Sequence, residues 1–208
     1  SPLGPFIDKG CLIDSKVIGV QNSIDQFFYE DNGKKYMFWG SFRGIYATEL
    51  TDNGLEIKKK TDGTPVLKKR ICGNRFEGTN IYKRGEYYYL FASIGTCCNG
   101  ATSTYQTVVG RSKNVLGPYL DKTGRDMLYD YCEIIMSGNE TWAGPGHNSI
   151  LIQDDVGTDW IIYHGYKKKE AENGRYVLMD KLIWSNDGWP SVKSNAPSIL
   201  EVAPYFQK

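Results

Sequence analysis

The segment KRGEYYYLF, residues 83–91, decides the fold, because a turn glycine leads directly into an aromatic strand. Two other segments share this plan, DNGKKYMFW at 31–39 and DVGTDWIIYH at 155–164. The glycine and its polar neighbours favour a tight turn, and the aromatic and β-branched residues that follow favour a strand. The recurrence predicts three hairpins built in the same way.

Each of these hairpins has further predicted strands on both sides. A first strand is predicted at 27–29, 80–82 and 149–152, and a third at 44–48, 107–111 and 177–181. A turn and a fourth, outer strand follow at 55–58, 119–121 and 191–193. Four antiparallel strands in units of about 50 to 75 residues are typical of β-propeller blades. A two-sheet sandwich is the alternative, but it does not require the same order of strands and turns to recur.

The first residues of the sequence repeat the end of a predicted unit. LGPFIDK at 3–9 nearly matches LGPYLDK at 116–122, which follows a third strand. The first copy is therefore expected to be the tail of a blade. This divides the all-β chain into a tail at 1–20 and blades at 21–70, 71–140 and 141–208. The missing N-terminal blades are then an expected partner.

Composition excludes several classes of protein. Of the 208 residues, 40% are hydrophobic and 24% are charged, and the net charge is +1. A chain without basic excess is not expected to bind nucleic acid. No run of about 18 apolar residues is present, so no membrane-spanning segment is predicted.

The cysteines do not form a recognisable framework. Their number is odd and none are spaced as CxxC, which argues against a metal cluster. Cys97 and Cys98 are adjacent, and a disulfide between neighbours closes a strained ring. The pair is therefore predicted to be reduced.

One position in each repeat carries a residue capable of chemistry. Asp25 and Glu77 each lie eight residues before their hairpin glycine, and His147 lies ten before its own. First strands are innermost in a propeller, so these positions should converge near the axis. Two placed carboxylates suggest glycoside hydrolysis, in which one protonates the leaving oxygen and another activates water. The abundant Tyr and Trp also suit sugar rings.

Several motifs together resemble those of glycoside hydrolase family 43, and most closely its endo-1,5-α-L-arabinanases. They are SIDQFF at 23–28, WGSF at 39–42, FEG at 76–78, CCNG at 97–100, STY at 103–105, VGRS at 109–112, GPGHN at 144–148 and DGWP at 187–190. The resemblance implies a five-bladed propeller and an inverting mechanism. It also implies arabinan or arabino-oligosaccharides as substrate, and hence an extracellular or periplasmic location.

The resemblance also implies roles for individual residues. Glu77 matches the general acid, and Asp25 matches the Asp that modulates the pKa of that acid. His147 matches a histidine that holds calcium at the axis, largely through water. The residues expected in the substrate groove are Asn22, Ser41, Cys97, Cys98 and Tyr105.

The general base that the family requires is not matched. Asp8 and Asp14 are the acids that precede Asp25, and neither fits the base motif. The base is expected in an N-terminal segment outside this sequence, so residues 1–208 alone are expected to be poorly active. An exo-acting α-L-arabinofuranosidase or β-xylosidase of the same family is one alternative function. A non-catalytic sugar-binding propeller fragment is another.

Overall fold

The computed structural model describes residues 1–207, which form successive antiparallel sheets. The first sheet contains β1 (Phe27–Asp31), β2 (Lys34–Trp39), β3 (Ile45–Glu49) and β4 (Lys69–Cys72), in that order. The second contains β5 (Glu77–Arg84), β6 (Tyr87–Ile94), β7 (Gln106–Ser112) and β8 (Glu133–Met136). Both sheets are meanders in which each strand pairs with the next, as the blade prediction requires.

The third sheet has a divided inner strand. Its strands are β9 (Trp142–Gly146), β10 (Ile152–Gln153), β11 (Asp159–Lys167) and β12 (Arg175–Lys181). β9 and β10 pair with opposite halves of the same edge of β11, and β12 pairs with its other edge. β13 (Ile183–Trp184) and β14 (Pro190–Ser191) form a separate two-stranded hairpin.

Helical segments are few and short. The helix α1 (Ser15–Ile18) begins at Asp14, whose carboxylate accepts hydrogen bonds from the first-turn backbone, and ends at Gly19 in the left-handed region. Four 3₁₀ segments lie at Gly100–Thr102, Met127–Tyr129, Lys168–Asn173 and Lys193–Asn195. In residues 1–207 no helix has the length and apolar character needed to cross a bilayer.

The first two predicted hairpins are confirmed and the third is confirmed in part, because β10 covers only Ile152–Gln153 of the strand predicted at 149–152; the predicted outer strands are wrong. Two-residue turns join β1 to β2 and β5 to β6, each with glycine at positive φ. The fourth strands lie at 69–72 and 133–136, whereas 55–58 and 119–121 form isolated bridges in the preceding connections. Ile57 pairs with Leu50, just after β3, and Leu120 pairs with Arg111 near the end of β7, so these segments form single bridges at the end of a third strand and do not form a fourth. In the third sheet, 191–193 overlaps the separate hairpin at Ser191.

The apolar core lies between the sheets. Tyr88, Leu90 and Ala92 of β6 belong to a cluster shared with the first sheet. Tyr89 and Phe91, which alternate with them, belong to a cluster shared with the third sheet. Because alternate side chains of a strand point to opposite faces, the middle sheet packs against a neighbour on each side. This serial stacking is the arrangement of propeller blades and excludes the two-sheet sandwich.

Two carboxylates, one partly buried and one buried, join the sheets. Asp31 on β1 accepts a 2.6 Å hydrogen bond from the hydroxyl of Tyr88 on β6. Asp159 on β11 accepts bonds from Tyr82 on β5, at 2.8 Å, and from the indole of Trp184, at 2.7 Å. In both seams a tyrosine of the middle sheet donates to an acid of a neighbouring sheet, which fixes the sheets relative to one another.

Candidate active site

The structure brings together the three residues that recur in the repeat. Asp25 precedes β1, Glu77 begins β5 and His147 lies in the break between β9 and β10, so each lies in or next to an inner strand. The charges of Glu77 and His147 both act on the Asp25 carboxyl. The His147 ring also lies against Gly78, where a Cβ atom would be 3.1 Å from its Cγ. Gly78 thus allows the histidine to approach the acid strand.

Asp25 occupies an unfavourable electrostatic position. Burial raises the pKa of its carboxyl, His147 lowers it, Glu77 raises it and the N–H of Gly78 lowers it, and the net pKa is above its ordinary value. Its Oδ2 atom is buried without a hydrogen-bond partner among the described residues. The backbone of Asp25 is also in the left-handed region, at φ 57°. Such strain is typical of functional sites.

Two hydroxyl groups hold the Glu77 carboxylate. Ser41 Oγ donates to Oε2 at 2.6 Å, and the hydroxyl of Tyr105 donates to Oε1. Glu77 is 7% exposed, and both donors are more deeply buried, at 2% and 1%. Burial, followed by the Glu77 carboxylate, raises the pKa of Tyr105 far above its ordinary value, so its hydroxyl keeps its proton. Ser41 and Tyr105, predicted from the resemblance to bind substrate, contact Glu77 in this structure.

The loop between β2 and β3, residues 40–44, connects the two acids. Gly40 donates to the carbonyl of Ile24, next to Asp25, at 2.9 Å. Phe42 donates to the carbonyl of Phe76, next to Glu77, at 3.0 Å. The side chain of Asn22, another predicted substrate residue, donates to the Ser41 carbonyl at 2.8 Å. We refer to residues 40–44 as the bridging loop.

A second histidine, which the sequence did not single out, lies beside the site. The His164 ring stacks on Tyr105 with centroids 5.8 Å apart, and it lies 6.3 Å from the His147 ring. Burial, with Arg175 and His147, lowers the pKa of His164 to about 4, so this ring is neutral at neutral pH. His164 lies opposite Gly146 because β9 pairs with β11, and the sequence pattern alone does not give this pairing.

The predicted calcium site can be tested against the residues near His147. No group of three or more His, Cys, Asp or Glu side chains within residues 1–207 is arranged to hold a metal. His147 is exposed, and Asp25 lies near it with one oxygen unpaired. Calcium prefers oxygen ligands, so these residues fit a largely hydrated ion held through His147 and do not fit a closed protein cage.

The predicted reduced state of Cys97 and Cys98 is wrong, because their sulfur atoms are bonded at 2.10 Å. The pair lies in a tight loop after β6, which Thr96 and Thr104 close through hydroxyls 3.0 Å apart. Because the loop is closed in this way, the side chains of Cys97 and Cys98 are held close together. Because β6 ends beside Glu77, the disulfide lies at the same end of this sheet as Glu77.

Comparisons with known proteins agree on one family. The model for "Glycosyl hydrolases family 43" matches residues 1–190. An extracellular exo-α-(1→5)-L-arabinofuranosidase of Cellvibrio japonicus is 36% identical, over 92% of this chain and 58% of its own length. An extracellular endo-α-(1→5)-L-arabinanase of Bacillus subtilis is 35% identical, over 90% of this chain and 56% of its own. The chain therefore spans less than three-fifths of either relative.

A solved structure shows the same relationship. The Cellvibrio cellulosa α-L-arabinanase complexed with arabinohexaose is similar to this chain with a TM-score of 0.68 and 34% identity. The similarity covers 81% of this chain and 56% of that one. Such arabinanases are five-bladed β-propellers, of which this chain supplies three four-stranded units.

Proposed function

Because this chain belongs to glycosyl hydrolase family 43, we propose that the protein hydrolyses α-1,5-linked arabinan, with Glu77 as general acid and Asp25 as the carboxylate that modulates it. The observation that carries this assignment is the buried Glu77 carboxyl, held by two hydroxyl donors beside a second carboxyl from the preceding blade. The charge of Glu77 raises the pKa of the Asp25 carboxyl, so the two acids are electrostatically coupled.

The proposed reaction is an inverting hydrolysis. Glu77 transfers its proton to the glycosidic oxygen as the bond to the anomeric carbon breaks. Water attacks that carbon from the opposite face and loses a proton to a general base, which gives a sugar of inverted configuration and a free alcohol. Asp14 caps α1 and Asp8 accepts from Gly10 in a local turn, so neither is proposed as the base. We propose that the base lies outside residues 1–208.

We propose that a hydrated calcium ion binds through His147. When bound, the ion would supply positive charge near the two carboxyls. His147 is well placed to hold it because its backbone is fixed by a 2.7 Å hydrogen bond from its N–H to Ser93 Oγ. The His147 ring lies against Gly78 through contacts within the protein, without an ion.

Tyr105→Phe is expected to lower kcat for arabinan about tenfold while KM changes little, since the lost hydroxyl contacts Glu77 and the residue is 1% exposed. Steady-state kinetics on the full-length protein measure both constants. Tyr129→Phe, at an exposed tyrosine in the connection before β8, is the matched control. A rise in KM alone would instead support the substrate contact that the sequence suggested for Tyr105.

Product analysis on linear α-1,5-arabinan tests the proposed function and separates its two forms. Endo action gives a mixture of arabino-oligosaccharides, whereas exo action gives a single short product from the start. The exo form is a second candidate because the 36% identical Cellvibrio relative is named as an exo-acting enzyme. No release of reducing sugar by the full-length protein would refute both. Since both curated relatives are named as extracellular, we propose the same location here.

A further inference from the structure

Tyr105, whose hydroxyl bonds Glu77, is the last residue of the connection between β6 and β7. We refer to residues 95–105 as the disulfide loop. The loop has a narrow neck, because the carbonyl of Thr96 accepts hydrogen bonds from the N–H groups of both Thr104 and Tyr105 at 3.1 Å. The backbone of Tyr105 is therefore held by the residue that immediately precedes the disulfide.

The second half of the disulfide loop is held by hydrogen bonds and by the third sheet. The N–H of Asn99 donates to Ser103 Oγ at 2.9 Å, and the N–H of Ser103 donates to the carbonyl of Gly100 at 3.1 Å. Gly100 faces the 3₁₀ segment Lys168–Asn173, since a Cβ atom on it would lie 3.6 Å from Ala171 Cβ. The loop is therefore fixed from Asn99 to its end.

The two cysteines lie between the neck and this fixed half. No backbone–backbone hydrogen bond within residues 1–207 involves Cys97 or Cys98. Their sulfur–sulfur bond closes a covalent ring on neighbouring residues, which limits the backbone conformations that this stretch can adopt. Opening the ring would restore that freedom directly beside the neck that holds Tyr105.

The position of the Tyr105 hydroxyl depends on this backbone. The ring stacks on His164 and packs against Gly146, which orients its plane. The distance of the hydroxyl from Glu77 depends also on the backbone from which the ring extends. Hydrogen bonds weaken steeply with distance and angle, so a displacement of about 1 Å at this backbone would loosen the contact between Tyr105 and Glu77.

We infer that the Cys97–Cys98 disulfide positions Tyr105 and thereby keeps its hydroxyl on the Glu77 carboxyl. The two cysteines are then positioning residues for the proposed general acid. This inference rests on the proposed function, and it gives the pair a role other than the substrate contact expected from the sequence. Because Cys98 is exposed, soluble thiols reach the bond, and activity should depend on its redox state.

Dithiothreitol, a dithiol reductant, opens the bond in two steps. One thiolate of the reagent attacks a cysteine sulfur and forms a mixed disulfide, and the other cysteine leaves as a thiolate that takes up a proton. The second thiolate of the reagent then displaces the remaining cysteine. The products are two cysteine thiols and cyclic, oxidised dithiothreitol, so the electrons and protons gained by the protein are those lost by the reagent.

The test measures kcat and KM of the full-length protein before and after reduction, with peptide mass confirming the redox state of Cys97 and Cys98. Dithiothreitol is expected to lower kcat for arabinan by about three- to tenfold, at most the loss expected of Tyr105→Phe, while KM changes little. Reoxidation with oxidised glutathione should restore kcat. The Tyr105→Phe protein should lose no further activity on reduction, because two changes that act through the same contact are not additive.

The variant Cys97→Ser/Cys98→Ser should have the kcat of the reduced parent and should not respond to dithiothreitol. Cys11→Ser, at an exposed free cysteine, is the matched control and should behave as the parent does. Since reduction of the parent is reversible, the result does not depend on whether the double variant folds.

Three outcomes would overturn the positioning role while arabinan hydrolysis persists. They are an unchanged kcat after confirmed reduction, a loss that appears in KM alone, and an equal further loss in reduced Tyr105→Phe. A parent that hydrolyses no arabinan in either redox state would refute the proposed function first, and the positioning role with it.

Discussion

Glu77→Gln is expected to reduce kcat/KM for linear arabinan by about 10²–10⁴-fold, the usual contribution of a positioned general acid. Glutamine keeps the size of the side chain, and its carbonyl oxygen can accept from one of the two hydroxyls of Ser41 and Tyr105 while its amide nitrogen donates to the other, but it has no acidic proton to give to the leaving oxygen. The measurement is reducing-sugar release by the full-length protein. The basic limb of the pH profile should disappear in the variant, because that limb reports loss of the acid's proton.

Two comparisons make this result specific to proton donation. Glu86→Gln, at an exposed acid whose salt-bridge partner is Lys113 at 3.3 Å, should retain full activity. If the enzyme accepts an arabinoside with a good aryl leaving group, Glu77→Gln should reduce the rate of its hydrolysis far less. Such a leaving group departs without protonation. If a folded Glu77→Gln protein hydrolyses arabinan normally, another residue is the general acid. A parent without hydrolysis that still binds arabinohexaose would support the non-catalytic sugar-binding alternative.

The sequence predicted the blades because the information lies in short-range patterns. The turn glycines of the first two hairpins and the alternation in Tyr87–Ile94 are local, and they correctly predicted the central strands. The outer strands β4 and β8 were missed because each is four residues long and follows a long connection. Segments nearer the turns, such as 55–58, looked similar but form only an isolated bridge near the end of the third strand.

The sequence also predicted which residues of the candidate site lie together, but it did not predict the hydrogen bonds among them. Counting back from the turns placed Asp25, Glu77 and His147 together because the blades repeat in register. The hydroxyls on Glu77 could not be derived in this way, since Ser41 and Tyr105 lie 36 and 28 residues from it along the chain. The Ser41 contact depends on how a loop of the first sheet meets the inner strand of the second, and the Tyr105 contact depends on how the connection before β7 folds back onto β5.

Asp25→Asn is expected to lower kcat/KM by about 10²-fold, the scale of one preorganised electrostatic contribution. Asparagine occupies the same volume and tolerates the left-handed backbone at φ 57°, so the loss would be due to charge and not to misfolding. Removing the Asp25 carboxylate also removes its electrostatic coupling with Glu77. The measurement is steady-state hydrolysis of arabinan, with Asp52→Asn, at an exposed acid in the connection between β3 and β4, as the control.

The same substitution should stabilise the protein at neutral pH. The pKa of Asp25 is raised above 3.8 in the folded state, chiefly by burial, so the folded protein binds this proton more tightly than the unfolded chain does. Stability is then lost as pH rises from 3.8 through the raised pKa, whereas the amide of the variant does not titrate. With a calcium chelator present, the melting temperature of Asp25→Asn should exceed that of the parent at about pH 7, and the difference should shrink below about pH 4. A lower melting temperature at neutral pH would mean that the ionised Asp25 stabilises the fold, which its unpaired Oδ2 argues against.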